Sequence, residues 1–202
     1  ISNYISKYMK SVVYHKIKRF DKNFKFDKFL HISDFKKQIK YFQNKYNVID
    51  SEKVFDKSEK FKKDDLFLTF DDGLKIHYNF VYPELRKNKI NGIFYLSTLP
   101  FTKRKILTVH KIHILLSKVR SNLLLSYIDK NLTRSIIDEK KLEKFKKNIY
   151  INQKNFDKNV KIKTILNYSI KTDYRNDFIE KMFKFFFPTL SERKFIKEYY
   201  MS

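Results

Sequence analysis

Short apolar runs alternate with helical stripes over the first hundred residues, and helical stripes alone follow. Ser11 to Tyr14 is an apolar run that fits a first strand, ending in His15. Residues 16 to 31 are basic and aromatic without a clear period and read as loop. From Ser33 to Tyr46 the apolar positions Phe35, Ile39, Phe42 and Tyr46 recur at helical spacing, with Ser33 or Asp34 as the cap. Val48 and Ile49 make a short strand, and the charged run from Asp50 to Asp65 is a surface connection. Leu66 to Phe70 is a compact run of strand formers that stops at Asp71, Asp72 and Gly73. Residues Ile76 to Asn88 fit a helix that Pro83 must kink or restart. After the Asn91-Gly92 turn, Ile93 to Leu96 reads as a buried strand.

Strand, helix, strand in that order is a βαβ unit. Such units are right-handed and parallel, so the Leu66 and Ile93 strands should be neighbours with their carboxyl ends at one edge. Ligands bind at that edge in α/β sheets, which puts Asp71 and Asp72 where chemistry usually sits.

From Thr102 onward the period is helical and glycine is absent. Val109, Ile112, Leu116 and Val119 predict one core-facing stripe, and Leu123 to Ile128 is strongly apolar. Ile162, Ile165 and Leu166, then Phe178, Met182, Phe183 and Phe186, continue the pattern up to Pro188. The expected division is 1–101 for an α/β part and 102–202 for a helical insertion or lid. The Lys-rich stretch from Ile136 to Asn159 is weakly patterned and expected to be mobile.

Composition changes this picture in two places. The 202 residues contain no cysteine, so the available metal ligands are His, Asp and Glu. The formal net charge of +23 comes mostly from lysines spread along the whole chain, 38 of them against seven arginines. Together with the crowding of Asn, Ile, Phe and Tyr this reads as the bias of an A+T-rich genome and a solvated basic surface, with no nucleic-acid partner expected. No apolar stretch approaches the length of a membrane span.

Four of the five histidines are candidates for the chemistry. His15 either faces the cleft of the aspartates or is a hydrogen-bonded rim residue, and His77 either looks into the same cleft or is a satisfied loop histidine. His110 and His113, three apart, share a helical face as possible metal ligands, or form a polar edge beside Val109 and Ile112.

The run Thr69 to Gly73, Thr-Phe-Asp-Asp-Gly, resembles the first motif of the polysaccharide deacetylases, the family with the NodB homology domain. Val13-Tyr14-His15, the Ser33 helix, Pro83-Glu84-Leu85 and Gly92 to Leu96 extend the resemblance over roughly the first half of the chain. It implies an α/β fold: the N-terminal portion of a deformed (β/α) barrel of this type, carrying a large helical insertion. It also implies a metal-dependent carbohydrate N-deacetylase, with Asp71 as general base and Asp72 as ligand to a divalent metal, usually zinc. The substrate would be a polysaccharide bearing N-acetyl groups, and relatives usually act at the cell envelope or outside.

The family completes its metal site with two histidines four residues apart, and no such pair occurs here. The chain also starts at Ile1, and Tyr200-Met201-Ser202 resembles the segment that precedes the histidine motif in relatives with a helical insertion. The expectation is the N-terminal part of a longer deacetylase, with weak metal binding and little activity alone. The alternative is a non-catalytic glycan-binding protein or a basic nucleic-acid binder.

Overall fold

The computed structural model describes residues 9–20, 28–56, 58, 60–138 and 158–201. The chain forms two compact units. Of the described residues, one unit comprises those up to Phe20, Lys28–Lys105 and those from Arg193 on; the other comprises those within Ile106–Glu192.

The first unit is built on a parallel sheet. Strand β1 (Lys10–Tyr14) lies beside β5 (Asp65–Phe70), which pairs on its far side with β4 (Asn47–Val48) and then β6 (Ile93–Phe94). Tyr14 is opposite Phe70, and Phe70 is opposite Phe94, so β1, β5 and β6 end level with one another. Central placement explains why every residue of β5 is buried. Leu66, Leu68 and Phe70 pack with Phe35 and Ile39 of helix α1 (Ile32–Lys45) and with Val81, Leu85 and Ile90. On the opposite face Phe67 meets Ile49 and Ile93. The first carboxylate of β5, Asp65, is buried but satisfied, accepting from Asn47 Nδ2 at 2.7 Å and from the Lys62 amide at 2.6 Å.

Several expectations change here. Part of the predicted 16–31 loop is paired: β2 (Ile17–Lys18) runs parallel to β3 (Leu30–His31). Strands of two residues are too short to show a period. Residues 21–27 within that stretch lie outside the described ones. Helix α1 is capped by His31, whose Nδ1 accepts from the Ser33 amide at 3.3 Å, rather than by Ser33 or Asp34. The 50–65 connection contains a short helix α2 (Ser51–Phe55), and the strand after Gly92 covers only Ile93–Phe94. Tyr95 and Leu96 are exposed, because β6 follows β5 only to Phe70.

Pro83 lies in helix α3 (Tyr82–Lys87), which continues directly from a π-helical turn at His77–Val81, so the chain stays helical through the proline with its hydrogen-bond pattern shifted ahead of it. At Gly92 a Cβ would come within 2.6 Å of the Phe70 ring. Gly92→Ala is therefore expected to cost about 1–3 kcal/mol by overpacking, measured by urea denaturation.

After β6 comes the short helix α4 (Leu99–Thr102), still in the first unit. The second unit is helical: α5 (Thr108–Lys118), α6 (Ser121–Asn131), α7 (Lys158–Thr164) and α8 (Thr172–Phe186). The Lys-rich stretch 139–157 lies outside the described residues. Ile112 and Leu116 are buried as the period predicts, but Val109 is exposed and Lys111 is buried in its stead. The cause is a pair of partners that no local pattern encodes. Lys111 Nζ bonds Glu180 of α8 and, at 2.9 Å, Glu192, and lies 5.3 Å from the Phe183 ring centre. Glu192 opens the last helix, α9 (Glu192–Tyr199), and accepts from the Ile106 amide at 2.7 Å.

Candidate functional site

Three neighbouring strands deliver their next residues to one edge of the sheet. His15 follows β1, Asp71 follows β5 and Tyr95 follows β6, each one step past the paired Tyr14, Phe70 and Phe94. The ladder carries into these residues: the Asp71 amide donates to the Tyr14 carbonyl at 2.9 Å, and the Tyr95 amide to the Phe70 carbonyl at 2.8 Å. Asp71 is thus held from the backbone while its side chain stays 32% exposed. His15 Nε2 lies 3.8 Å from Asp71 Oδ2, within ion-pairing reach when the imidazole is protonated. His15 thus reaches Asp71 but is not among the residues that line the cleft described below.

Beyond Asp71 the chain reverses through two left-handed residues, Asp72 at φ 75° and Gly73 at φ 60°. Aspartate tolerates this region better than most residues, and glycine adopts it freely. The reversal is tied down from far along the chain. Leu74 forms an antiparallel bridge with the fully buried Tyr200, and the Met201 amide donates to the Gly73 carbonyl at 2.9 Å. Beside the turn opens a cleft of about 550 Å³, lined by Val13, Thr69, Asp71, Asp72, Tyr95 and Ser97 among others.

His77 is fully buried behind this edge. Its Nε2 donates to the His15 carbonyl, its ring packs against Phe70 and Phe94, and its Nδ1 has no partner. It braces the end of β1 and does not open into the cleft. Burial pushes its pKa below the ordinary 6.5, outweighing the His15 bond and the two aspartates, which act the other way. The imidazole is neutral when folded, and the unfolded chain takes up the proton first as the pH drops. Stability contributed by His77 is therefore full above about pH 6.5 and lost as the pH falls through the folded value. Denaturation midpoints measured from pH 8 to 5 should fall at the acid end, and His77→Phe should flatten that fall.

His110 and His113 share a face of α5 with ring centres 6.2 Å apart, and His110 is buried. Among the described residues no three His, Asp or Glu side chains gather as a metal site requires. The described donors do not make up a catalytic zinc site: Asp72 offers one carboxylate, and such a site needs three protein ligands.

Tyr95 and Ser97 were not singled out by the sequence reading, although the βαβ rule already placed the end of β6 at this edge. The Tyr200 and Met201 contacts had no local signal, being 126 and 128 residues from their partners.

No family model matches the chain, and no curated protein matches it. Among solved structures it is similar to a de-N-acetylase from Aggregatibacter actinomycetemcomitans, with 22% identity over 49% of this chain and 42% of that one, TM-score 0.39. It is also similar to the Streptococcus pyogenes deacetylase PplD, with 17% identity over 61% of this chain and 69% of that one, TM-score 0.39. A polysaccharide deacetylase from Bacillus cereus matches at 23% identity over 53% of this chain and 35% of that one, TM-score 0.37. The chain therefore spans less than half the length of the first and third of these.

Proposed function

We propose that this chain carries the base-bearing edge of a metal-dependent carbohydrate N-deacetylase. The observation that carries the reading is the placement of the Thr69–Gly73 motif. It closes the central parallel strand so that Asp71 stands at the carboxyl edge, half-open to a cleft and 3.8 Å from His15.

In this reading a sugar acetamide enters the cleft and Asp71 takes a proton from the attacking water as general base. A bond forms between the water oxygen and the acetyl carbon, the carbon–nitrogen bond breaks, and the departing nitrogen takes up a proton. Acetate and a free amine on the sugar are the products. Asp71, whose backbone N–H donates to the Tyr14 carbonyl, meets the water at a set place, and His15 Nε2 lies 3.8 Å from its carboxylate.

Asp72 is proposed as one ligand to a divalent metal, zinc by resemblance. The remaining ligands are not among the described residues, so no step is assigned to the metal. The sheet is read as the first strands of the family's deformed barrel, and the helical unit as an insertion.

The test is zinc titration of the chain by calorimetry, beside acetate release from N-acetylglucosamine oligomers by the full-length gene product. The chain alone should bind zinc weakly, and the full-length product should release acetate in a chelator-sensitive manner. No release from any N-acetylated glycan would overturn the reading. Tight stoichiometric zinc in the chain alone would overturn the ligand assignment in favour of His110 and His113.

A further inference from the structure

Tyr78 and Tyr82 stand on the outer side of the turn that follows the aspartates, four residues apart. Their rings are within 7° of parallel, with centres 5.9 Å apart, and they are 63% and 46% exposed. The π-helical turn presents them this way. The Tyr82 amide reaches back five residues to the His77 carbonyl, and the widened turn faces His77 inward and Tyr78 outward. Two stacked rings this open to water form an aromatic patch of the kind that binding surfaces present.

The surroundings of the rings are cationic. Tyr78, Asn79, Tyr82, Pro83, Arg86 and Lys87 line an open depression that contains no acid. Tyr82 and Arg86 also line the adjoining depression, whose one acid is Glu52, so the two form a continuous groove along α3. The acid of α3 itself, Glu84, is turned away and pairs with Lys36 at 3.3 Å. Among the described residues no carboxylate pairs with Arg86 or Lys87.

We propose that this groove binds a strand of an acidic polysaccharide, separately from the Asp71 cleft. The proposal rests on the carbohydrate reading above and extends it to the polymer's charge. The C–H faces of sugar rings are apolar with slightly positive hydrogens, which suits the negative faces of the tyrosine rings. A carboxylate along the strand is met by the fork of Arg86 and by Lys87, and sugar hydroxyls by the Asn79 amide and the phenols. Two cations beside neutral hydrogen-bonding groups fit a strand with intermittent charge. A nucleic acid, charged at every residue, is matched by a denser row of phosphate contacts. The net charge of +23 steers such a polymer toward the protein from a distance.

The experiment measures binding of the chain to hyaluronan, a neutral N-acetylglucosamine hexamer and an oligothymidylate. Hyaluronan is expected to bind best. Tyr78→Ala with Tyr82→Ala should weaken it about tenfold or more, while the paired phenylalanine variant keeps most of the affinity. Arg86→Gln with Lys87→Gln should weaken hyaluronan and leave the neutral hexamer unchanged. Circular dichroism of each variant confirms the fold. Hyaluronan binding that the tyrosine pair does not affect overturns the groove. If that binding is instead lost in Tyr95→Ala, which alters the cleft lining, the glycan lies in the cleft and the deacetylase reading stands. Tighter binding of oligothymidylate, lost in the same tyrosine variant, overturns the glycan assignment in favour of nucleic acid. Failure of the wild type to bind either glycan overturns the groove, and acetate release by the full-length product then decides the deacetylase reading independently.

Discussion

Replacing Phe70 by alanine should destabilise the sheet unit by about 3–5 kcal/mol, the usual cost of emptying a large aromatic site in a core. Phe70 has no exposed surface, and four rings surround it: Tyr14 at 5.5 Å, Phe35 at 6.1 Å, His77 at 5.8 Å and Phe94 at 4.8 Å. Gly92 lies so close to its edge that the pocket cannot close from that side without moving the turn. The effect should reach the site, because Asp71 is the next residue and the Phe70 carbonyl anchors Tyr95. Urea denaturation of Phe70→Ala checks the magnitude. Phe70→Leu, which keeps much of the volume, should lose clearly less.

The second large effect is expected at Lys111. Its side chain is 4% exposed and bonds both Glu180 and Glu192, each 21% exposed. Lys111→Met should cost about 3 kcal/mol at neutral pH, because it removes the buried cation shared by both carboxylates and leaves Glu180 with the exposed Lys184 alone. Burial pushes the Glu180 carboxyl up, but its bonds to Lys111 and Lys184 outweigh that and hold it below the usual carboxylate range. Stability from this group is thus present above its unfolded pKa and is lost as the pH falls through the lower folded value. The gap between wild type and Lys111→Met should therefore be widest near neutrality and narrow in acid, where protonation relieves the repulsion. Adding Glu180→Gln to Lys111→Met should recover part of the loss. Thermal denaturation at pH 7 and pH 4 checks both.

The sheet edge was legible because β5 combines a dense run of strand formers with an abrupt change to charge, and because a βαβ connection has one usual hand. The face of α1 was legible for a similar reason: Phe35 and Ile39 repeat at helical spacing and are both fully buried. What escaped the sequence depends on long-range partners. Lys111 is buried because two glutamates lie 69 and 81 residues away, and a single-residue pattern scores it as surface. Strands β2 and β3 exist by virtue of each other and have too few residues to announce themselves. His77 carries no signal of its own; its burial follows from the π-helical turn, which forms where Pro83 has no N–H for the ordinary helical bond. For the site, residue types and adjacency pointed to Asp71 and Asp72, whereas the His15 pairing required the β1–β5 register.

Acetate release from N-acetylglucosamine oligomers by the full-length gene product, compared between wild type and Asp71→Asn, tests the assignment of the base most directly. With Asp71 as general base, the variant should lose turnover by about two to four orders of magnitude, with its denaturation midpoint and substrate affinity little changed. Turnover in Asp71→Asn within a few fold of wild type would contradict that role.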